Sequence, residues 1–245
     1  MSVATPQIAI DVRLFAMLRE RAGAGRLALS VPAGATVADA LARLCEQDER
    51  LGELLARLPV TTAVNREYVA SETVLADGDE LALIPPVSGG EGGEGGAGVP
   101  VHAGVSAEPL SPERIRALVG DPRAGAIVVF HGVTREIPAL EYEAYAEMAI
   151  ERIEAILREC AAAHGLCAAA AEHRVGSVAL GEPSVVVAVS APHRDEAFAG
   201  ARAAIDAIKA EAPIWKREQR AAGAREWVDG AVPFPAGARE PSERL

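Results

Sequence analysis

Residues 88–98 read Ser-Gly-Gly-Glu-Gly-Gly-Glu-Gly-Gly-Ala-Gly, a run in which nothing can pack. Glycine has no Cβ and maximises backbone freedom, so the run predicts a flexible linker. A linker this bare forbids one continuous core. The 245 residues must fold as two bodies, residues 1–90 and residues 99–245, joined by residues 91–98. Each can bury a core of its own, the first only just. Half of the residues are hydrophobic and 24% are charged, which excludes a largely disordered chain.

Several function classes fall away on composition. No apolar run approaches the roughly 18 residues of a membrane span. The N-terminus lacks the basic start and apolar stretch of a secretory signal. A cytoplasmic protein with no membrane partner is expected. Cys45, Cys160 and Cys167 form no CxxC pair, so neither a disulfide scaffold nor a zinc ribbon is expected. The net charge is −11 and the pI is near 5.0. That balance argues against nucleic acid, whose phosphates demand a basic face. It leaves room for a small anion in a local basic pocket.

In the first segment, Ile8, Ile10, Val12 and Leu14 alternate with weaker or polar residues, predicting a half-buried strand. Leu27, Leu29 and Val31 repeat the pattern after a turn at Gly23 and Gly25. Thr36 and Asp39 predict a shortened capping box. Val37, Ala40, Leu41 and Leu44 put an apolar stripe on the helix that follows. Strands at 60–65 and 80–84 complete an order of hairpin, helix and strands that fits a ubiquitin-like β-grasp.

In the second segment, strands are predicted near 99–105, 125–130, 140–145 and 184–191. The β-branched run 184–191 demands a central strand. Helices are predicted from Ser111, over 147–164 and over 195–211. Pro112 suits a first helical turn, Gly165 a helix end, and Pro213 stops the last helix. Met148, Ile153, Ile156, Leu157 and Cys160 line one long helix; Phe198, Ala201, Ile205 and Ile208 are expected to face inward on the other. The class is α+β, with helices laid on one sheet.

Of the 24 basic residues, only Lys209 and Lys216 are lysine. Under a strong arginine bias, a surviving lysine marks a place for a compact, tunable ammonium, or it survives on a helix surface by chance. Lys209 falls on the last turn of its helix and Lys216 just past the proline break. The chain reverses between them, so both ammoniums can face one pocket.

The first segment ends Leu83-Ile84-Pro85-Pro86-Val87-Ser88-Gly89-Gly90. Two prolines stiffen the exit, and two bare glycines can thread a narrow channel. Alone, Gly89 and Gly90 read as the first linker glycines. On a grasp-like domain the ending resembles the small, sulfur-carrier subunit of molybdopterin synthase, over about residues 7–90. The second segment carries Gly125-Ala126, Phe130, Gly132 and Arg135; Leu140 to Tyr145; Met148-Ala149; and His173-Arg174-Val175-Gly176. Ser190 to Arg194, Lys209 and Pro213 to Glu218 follow in order. Together they resemble the large, catalytic subunit of that synthase over about residues 99–230, a domain of α/β-hammerhead type. The chain thus resembles a natural fusion of the two subunits.

The resemblance implies a sulfurtransferase of molybdenum cofactor biosynthesis. Sulfur would pass from a thiocarboxylate at Gly90 to cyclic pyranopterin monophosphate, making the molybdopterin dithiolene. Lys209 takes the central catalytic role and Lys216 an electrostatic or acid–base role. Val133, Thr134, Arg135, His193, Arg194, Arg217 and Glu218 are implied to bind the substrate. A guanidinium pair and an imidazole suit an anionic ligand. Taken singly, His193 reads as a cap or core histidine and Arg135 or Arg194 as a surface ion pair; the shared motif context reverses that. Trp215 is read as a packing anchor rather than a pterin stack, and His173 as structural within its strand. No metal and no bound cofactor are expected. A separate ATP-dependent adenylating and sulfurating enzyme would act on the Gly-Gly terminus. A dimer through the large domain is implied.

Three features depart from the family. After Arg135, only Glu136-Ile137-Pro138 precedes Ala139-Leu140, where a longer polar loop is usual, and Thr134 stands where valine is common. More seriously, Gly90 is amide-bonded to Glu91, and an amide cannot be adenylated. Either the chain is cut after Gly90 or a separate carrier serves the large domain. The residues after about 231 are expected to form a mobile tail. The alternative reading is a ubiquitin-like sulfur carrier or protein modifier fused to a non-catalytic docking domain.

Overall fold

A computed structural model describes residues 6–86, 98–219 and 225–227. Gly89, Gly90, the run 91–97 and the tail after 231 lie outside the described residues. Those described form two compact units, one within 6–86 and one within 98–227.

The first unit is one five-stranded sheet with helices against it. In chain order it comprises β1 (Gln7–Leu14), α1 (Ala16–Ala22), β2 (Arg26–Pro32), α2 (Val37–Gln47), α3 (Glu49–Leu55), β3 (Thr61–Val64), β4 (Glu67–Val69) and β5 (Glu80–Ile84). The strand order is β2-β1-β5-β3-β4, with β1 and β5 parallel at the centre and the other pairs antiparallel. Ile10, Val12 and Leu14 turn inward with Leu29, Val31, Leu81 and Leu83. Helix α2 lays Val37, Ala40 and Leu44 on that face. Its capping box is formed: Asp39 N donates to Thr36 Oγ1 at 3.2 Å, and Thr36 N donates to the Asp39 carboxylate at 2.8 Å. The result is the β-grasp.

Helices α1 and α3 were not legible in the sequence. Each has seven residues, and α1 starts without any side-chain cap. Tertiary burial of Leu18 and Leu51 holds them, and Asp48 caps α3 by accepting from Leu51 N at 3.0 Å.

The second unit comprises β6 (Val101–Ser106), α4 (Pro112–Ala117), β7 (Ala126–Val133), β8 (Ala139–Ala144), α5 (Ala146–His164), β9 (Ala168–Arg174), β10 (Gly176–Ala179), β11 (Pro183–Ala191), α6 (Arg194–Glu211), β12 (Ile214–Gln219) and β13 (Arg225–Trp227). Its strands form two sheets where the sequence suggested one: β6-β9-β11-β7 and β10-β8-β12-β13. The second sheet was hidden because β10, β12 and β13 are short, and none is an apolar run.

Strand β11 is central, as its composition requires. Val185, Val187 and Val189 pack with Ile153, Ile156 and Leu157 of α5 and Ile205 and Ile208 of α6. On the opposite face, Val186 and Ala188 meet Leu110, Ile115 and Val119 around α4. Ser111 caps α4, accepting from Arg114 N, and Gly165 ends α5 with φ 61°.

One expected core residue is not there: Phe198 is 63% exposed. The buried stripe of α6 runs Ala197, Ala201, Ala204, Ile205, Ile208. Phe198 sits one residue, about 100°, round the helix from that stripe.

Gly125 leads into β7 where the backbone passes close to the end of β11. It donates to Ala191 O at 3.0 Å, and a Cβ there would lie 2.3 Å from the Pro192 carbonyl oxygen. Gly125→Ala must push β7 off β11, costing about 1–3 kcal/mol. Both tryptophans belong to the second unit. The variant's urea midpoint should therefore fall when tryptophan fluorescence is followed; an unchanged midpoint would refute the close approach.

Candidate active site

A cavity of about 550 Å³ opens in the second unit. Six segments line it. The end of β7 and the loop after it bring Val133, Arg135 and Glu136; β8 brings Leu140 and Tyr142. His173 comes from the end of β9, Ser184 and Val185 from the start of β11. The last turn of α6 supplies Ile208 and Lys209, and β12 supplies Ile214, Lys216 and Glu218. The only two lysines of the chain thus meet at one cavity.

Strand alternation sorts these residues. Side chains at i, i+2 and i+4 share a face, so Ile214, Lys216 and Glu218 point to the cavity together. Arg217 points away. Its Nη2 donates to the Glu141 carboxylate at 2.7 Å, and Arg217 pairs with Glu141 across β12 and β8. The same register sets Lys216 opposite Tyr142.

Thr134 is buried beside the cavity and does not line it. Its N donates to Glu182 O at 3.1 Å and its O accepts from Gly181 N at 2.8 Å. These bonds fix the end of β7 and so place Arg135. The shortened loop continues through Glu136 at φ 67°, a left-handed conformation that non-glycine residues rarely adopt. It turns Arg135 and Glu136 outward over the cavity, 3.8 Å apart and both exposed.

His193 and Arg194 are elsewhere. His193 is the N-cap of α6 without a side-chain capping bond, and Arg194 is exposed beside Asp195. Fifteen residues at 1.5 Å each put Arg194 about 22 Å along the helix axis from Lys209. One copy of the chain cannot bring both to its own cavity.

Burial divides the cavity into a charged rim and a neutral floor. Arg135 at the rim is 84% exposed, and Lys209 is exposed with its Nζ 5.9 Å from the Phe130 ring centroid. Three cations (Arg135, Lys209, Lys216) against two carboxylates (Glu136, Glu218) leave the lining at net +1 in a chain of net −11. The floor holds His173, Ser184, Val185, Ile208, Ala212 and Ile214, all buried.

His173, read from sequence as structural, is part of this floor. Its ring packs edge-on to Tyr142 with centroids 5.0 Å apart, and Nδ1 lies 2.8 Å from the Arg174 carbonyl oxygen. Burial, aided by the Lys209 charge and opposed by that hydrogen bond, pulls its pKa from 6.5 down to about 4. Burial also raises the Tyr142 phenol, against a hydrogen bond with Ser184. Both rings are therefore neutral near pH 7. The sequence did show His173 in its motif. What it could not show was that β8 and β9 bring Tyr142 and His173 together.

Among the described residues, no group of three or more His, Cys, Asp or Glu could hold a metal ion. No described helix is long and apolar enough to cross a membrane.

The comparisons with known proteins fall on the same two regions. The family model for the MoaE protein matches residues 105–211, and that for the ThiS family matches residues 12–90. The molybdopterin synthase catalytic subunit 1 of Mycobacterium tuberculosis is 41% identical over 128 residues, covering 49% of this chain and 86% of that protein. The chain belongs to the molybdopterin synthase catalytic-subunit family. A ThiS-family region precedes the MoaE region in the same chain, the arrangement of a fusion. The molybdopterin synthase catalytic subunit of Oryza sativa subsp. indica is 50% identical over 106 residues, 41% of this chain. The chain spans 55% of that relative's length. A solved molybdopterin synthase from Staphylococcus aureus is 33% identical, covering 51% of this chain and 95% of that one, with a TM-score of 0.49. In the synthase-family region, the cavity residues Val133, Arg135 and Lys209 lie inside the MoaE match, and Lys216 lies just beyond it.

The buried imidazole gives a pH test. An unfolded chain protonates His173 near pH 6.5, the folded chain only near pH 4. Between these values the unfolded state binds more protons, so stability present above pH 6.5 is lost as the pH falls toward 4. His173→Gln removes that contribution. Urea midpoints at pH 7 and pH 5 should differ less for the variant than for the parent. An equal fall in both would assign the slope to other groups.

Proposed function

We propose that the chain is a molybdopterin synthase that moves sulfur from a glycine thiocarboxylate to cyclic pyranopterin monophosphate, building the dithiolene. The observation that carries this reading is the meeting of Lys209 and Lys216 at one cavity of the MoaE region. Transfer from a thiocarboxylate is acyl chemistry. It develops negative charge on oxygen and sulfur and needs a proton donor or acceptor at the reacting carbons. Lys209, on the helix end beside Phe130, is the central catalytic group; Lys216 supplies electrostatic or acid–base help. Arg135 at the rim suits the phosphate. Glu218 faces the same cavity and orients the ammoniums, while Arg217 acts from behind through Glu141.

His193 and Arg194 contact substrate, on this reading, only in the cavity of a second copy, since α6 separates them from their own. That requirement favours a dimer through the large domain. The donor terminus is Gly90, freed from Glu91 by a cut and activated by a separate ATP-dependent enzyme in the cytoplasm.

Lys209→Ala should lower turnover of the pterin by roughly 10²–10⁴-fold with an unchanged urea midpoint, measured with a thiocarboxylated carrier supplied. Turnover near the parent rate would remove Lys209 from the chemistry. Intact mass of the chain from its native host tests the donor. Two fragments divided after Gly90, the smaller with sulfur in place of oxygen, are expected. A single uncut chain that remains fully active would transfer the donor role to another carrier.

A further inference from the structure

The rim of the cavity is built for an anion, but its floor has a different chemistry. Among the buried lining residues, only His173 and Ser184 have polar side chains. Ser184 is committed: its Oγ donates to Gly132 O at 3.1 Å and also meets the Tyr142 hydroxyl. His173 is committed at one nitrogen only. A carbonyl oxygen can only accept, so the 2.8 Å contact to Arg174 O places a proton on Nδ1. In the neutral ring that leaves Nε2 as an unprotonated acceptor. Nε2 has no hydrogen-bond partner among the described residues, in a side chain that lines the cavity.

The neighbouring cations do not use it. Lys209 is exposed, its Nζ held over the Phe130 ring. The titratable groups around the ring are Tyr142 from β8, Lys209 from α6 and Lys216 from β12. All of them can donate; the carboxylates of the lining, Glu136 and Glu218, lie outside the buried floor. A phosphate oxygen would face a lone pair here and be repelled. A neutral heterocycle with an N–H would be matched.

We infer that His173 is a specificity-determining residue of this cavity, its Nε2 accepting a hydrogen bond from a ring or exocyclic N–H of the bound heterocycle. The inference rests on the proposed pterin reading and adds the orientation: heterocycle on the neutral floor, phosphate at the cationic rim. The backbone bond at Nδ1 fixes the tautomer, and the depressed basicity of the buried ring keeps Nε2 an acceptor across the neutral pH range. A donor lost from the ligand, or an acceptor lost from the floor, leaves a buried polar group unpaired, which binding penalises more than a missing surface contact.

The test uses the full chain and cyclic pyranopterin monophosphate as probe. Equilibrium binding is followed by titration calorimetry, and turnover is measured separately with thiocarboxylated carrier. His173→Leu should weaken binding and raise KM about tenfold, as expected for roughly 1.4 kcal/mol, with kcat within about threefold. His173→Gln, whose Oε1 can take the place of Nε2, should recover most of that affinity. Unchanged affinity in His173→Leu would overturn the inference, as would equal loss in both variants or a fall in kcat alone. Parent protein that binds the pterin without turning it over would defeat the proposed function and leave the His173 comparison readable from binding. Parent protein that binds no pterin would defeat both.

Discussion

The cavity depends on a strand that buries both of its faces. In β11, Val185, Val187 and Val189 serve the α5 and α6 side while Val186 and Ala188 serve the α4 side. A strand so enclosed has no freedom to slip, because a one-residue shift would exchange the two packed faces. Its register with β9 and β7 is thereby fixed, and with it the cavity floor. Ser184 and Val185 open β11, His173 pairs with Val185, and Val185 pairs with Gly132 at the end of β7. The hydrophobic core thus positions the polar site, and Arg135 follows from where β7 is made to stop.

Alternation in the second sheet then decides which charged residues reach the site. Lys216-Arg217-Glu218 is a run of three charges, and a sequence motif treats them alike. On a strand they cannot act alike. Lys216 and Glu218 share the cavity face with Ile214, and Arg217 shares the other with Glu141. Arg217 has intermediate exposure, so its ion pair is better shielded than those on the open surface. It ties β12 to β8 and so holds Lys216 opposite Tyr142.

Most elements were legible where a local signal was strong. The capping box at Thr36, the proline start of α4, the glycine end of α5 and the β-branched run of β11 each forced one outcome. Of the two seven-residue helices of the β-grasp, α1 carries no side-chain cap to read and α3 only the Asp48 cap, so burial decides both. The second sheet was missed because short polar strands gain their identity only from partners distant in sequence. Phe198 misled for a related reason: a large apolar residue next to the stripe is not on the stripe. Lys209 and Lys216 stood out because an arginine-rich composition left them alone. His173 did not, because its role depends on Tyr142, Ser184 and a backbone carbonyl that no spacing rule connects.

The fusion itself constrains how the two units can serve one reaction. Eight residues, Glu91 to Gly98, follow Gly90 and join it to the second unit. Yet the bond that provides this tether is the amide that blocks the Gly90 carboxyl. Cutting it frees the carboxyl that must then be activated and sulfurated, and destroys the tether in the same event. Under the proposed function, the fused state cannot accelerate transfer by proximity. What fusion provides is synthesis of carrier and catalytic units in equal number. After the cut, the two must find each other through their own surfaces, as separate subunits would. A synthase working this way would keep a carrier–cavity affinity that does not depend on the linker, and shortening the 91–98 segment would leave the processed enzyme's kinetics unchanged.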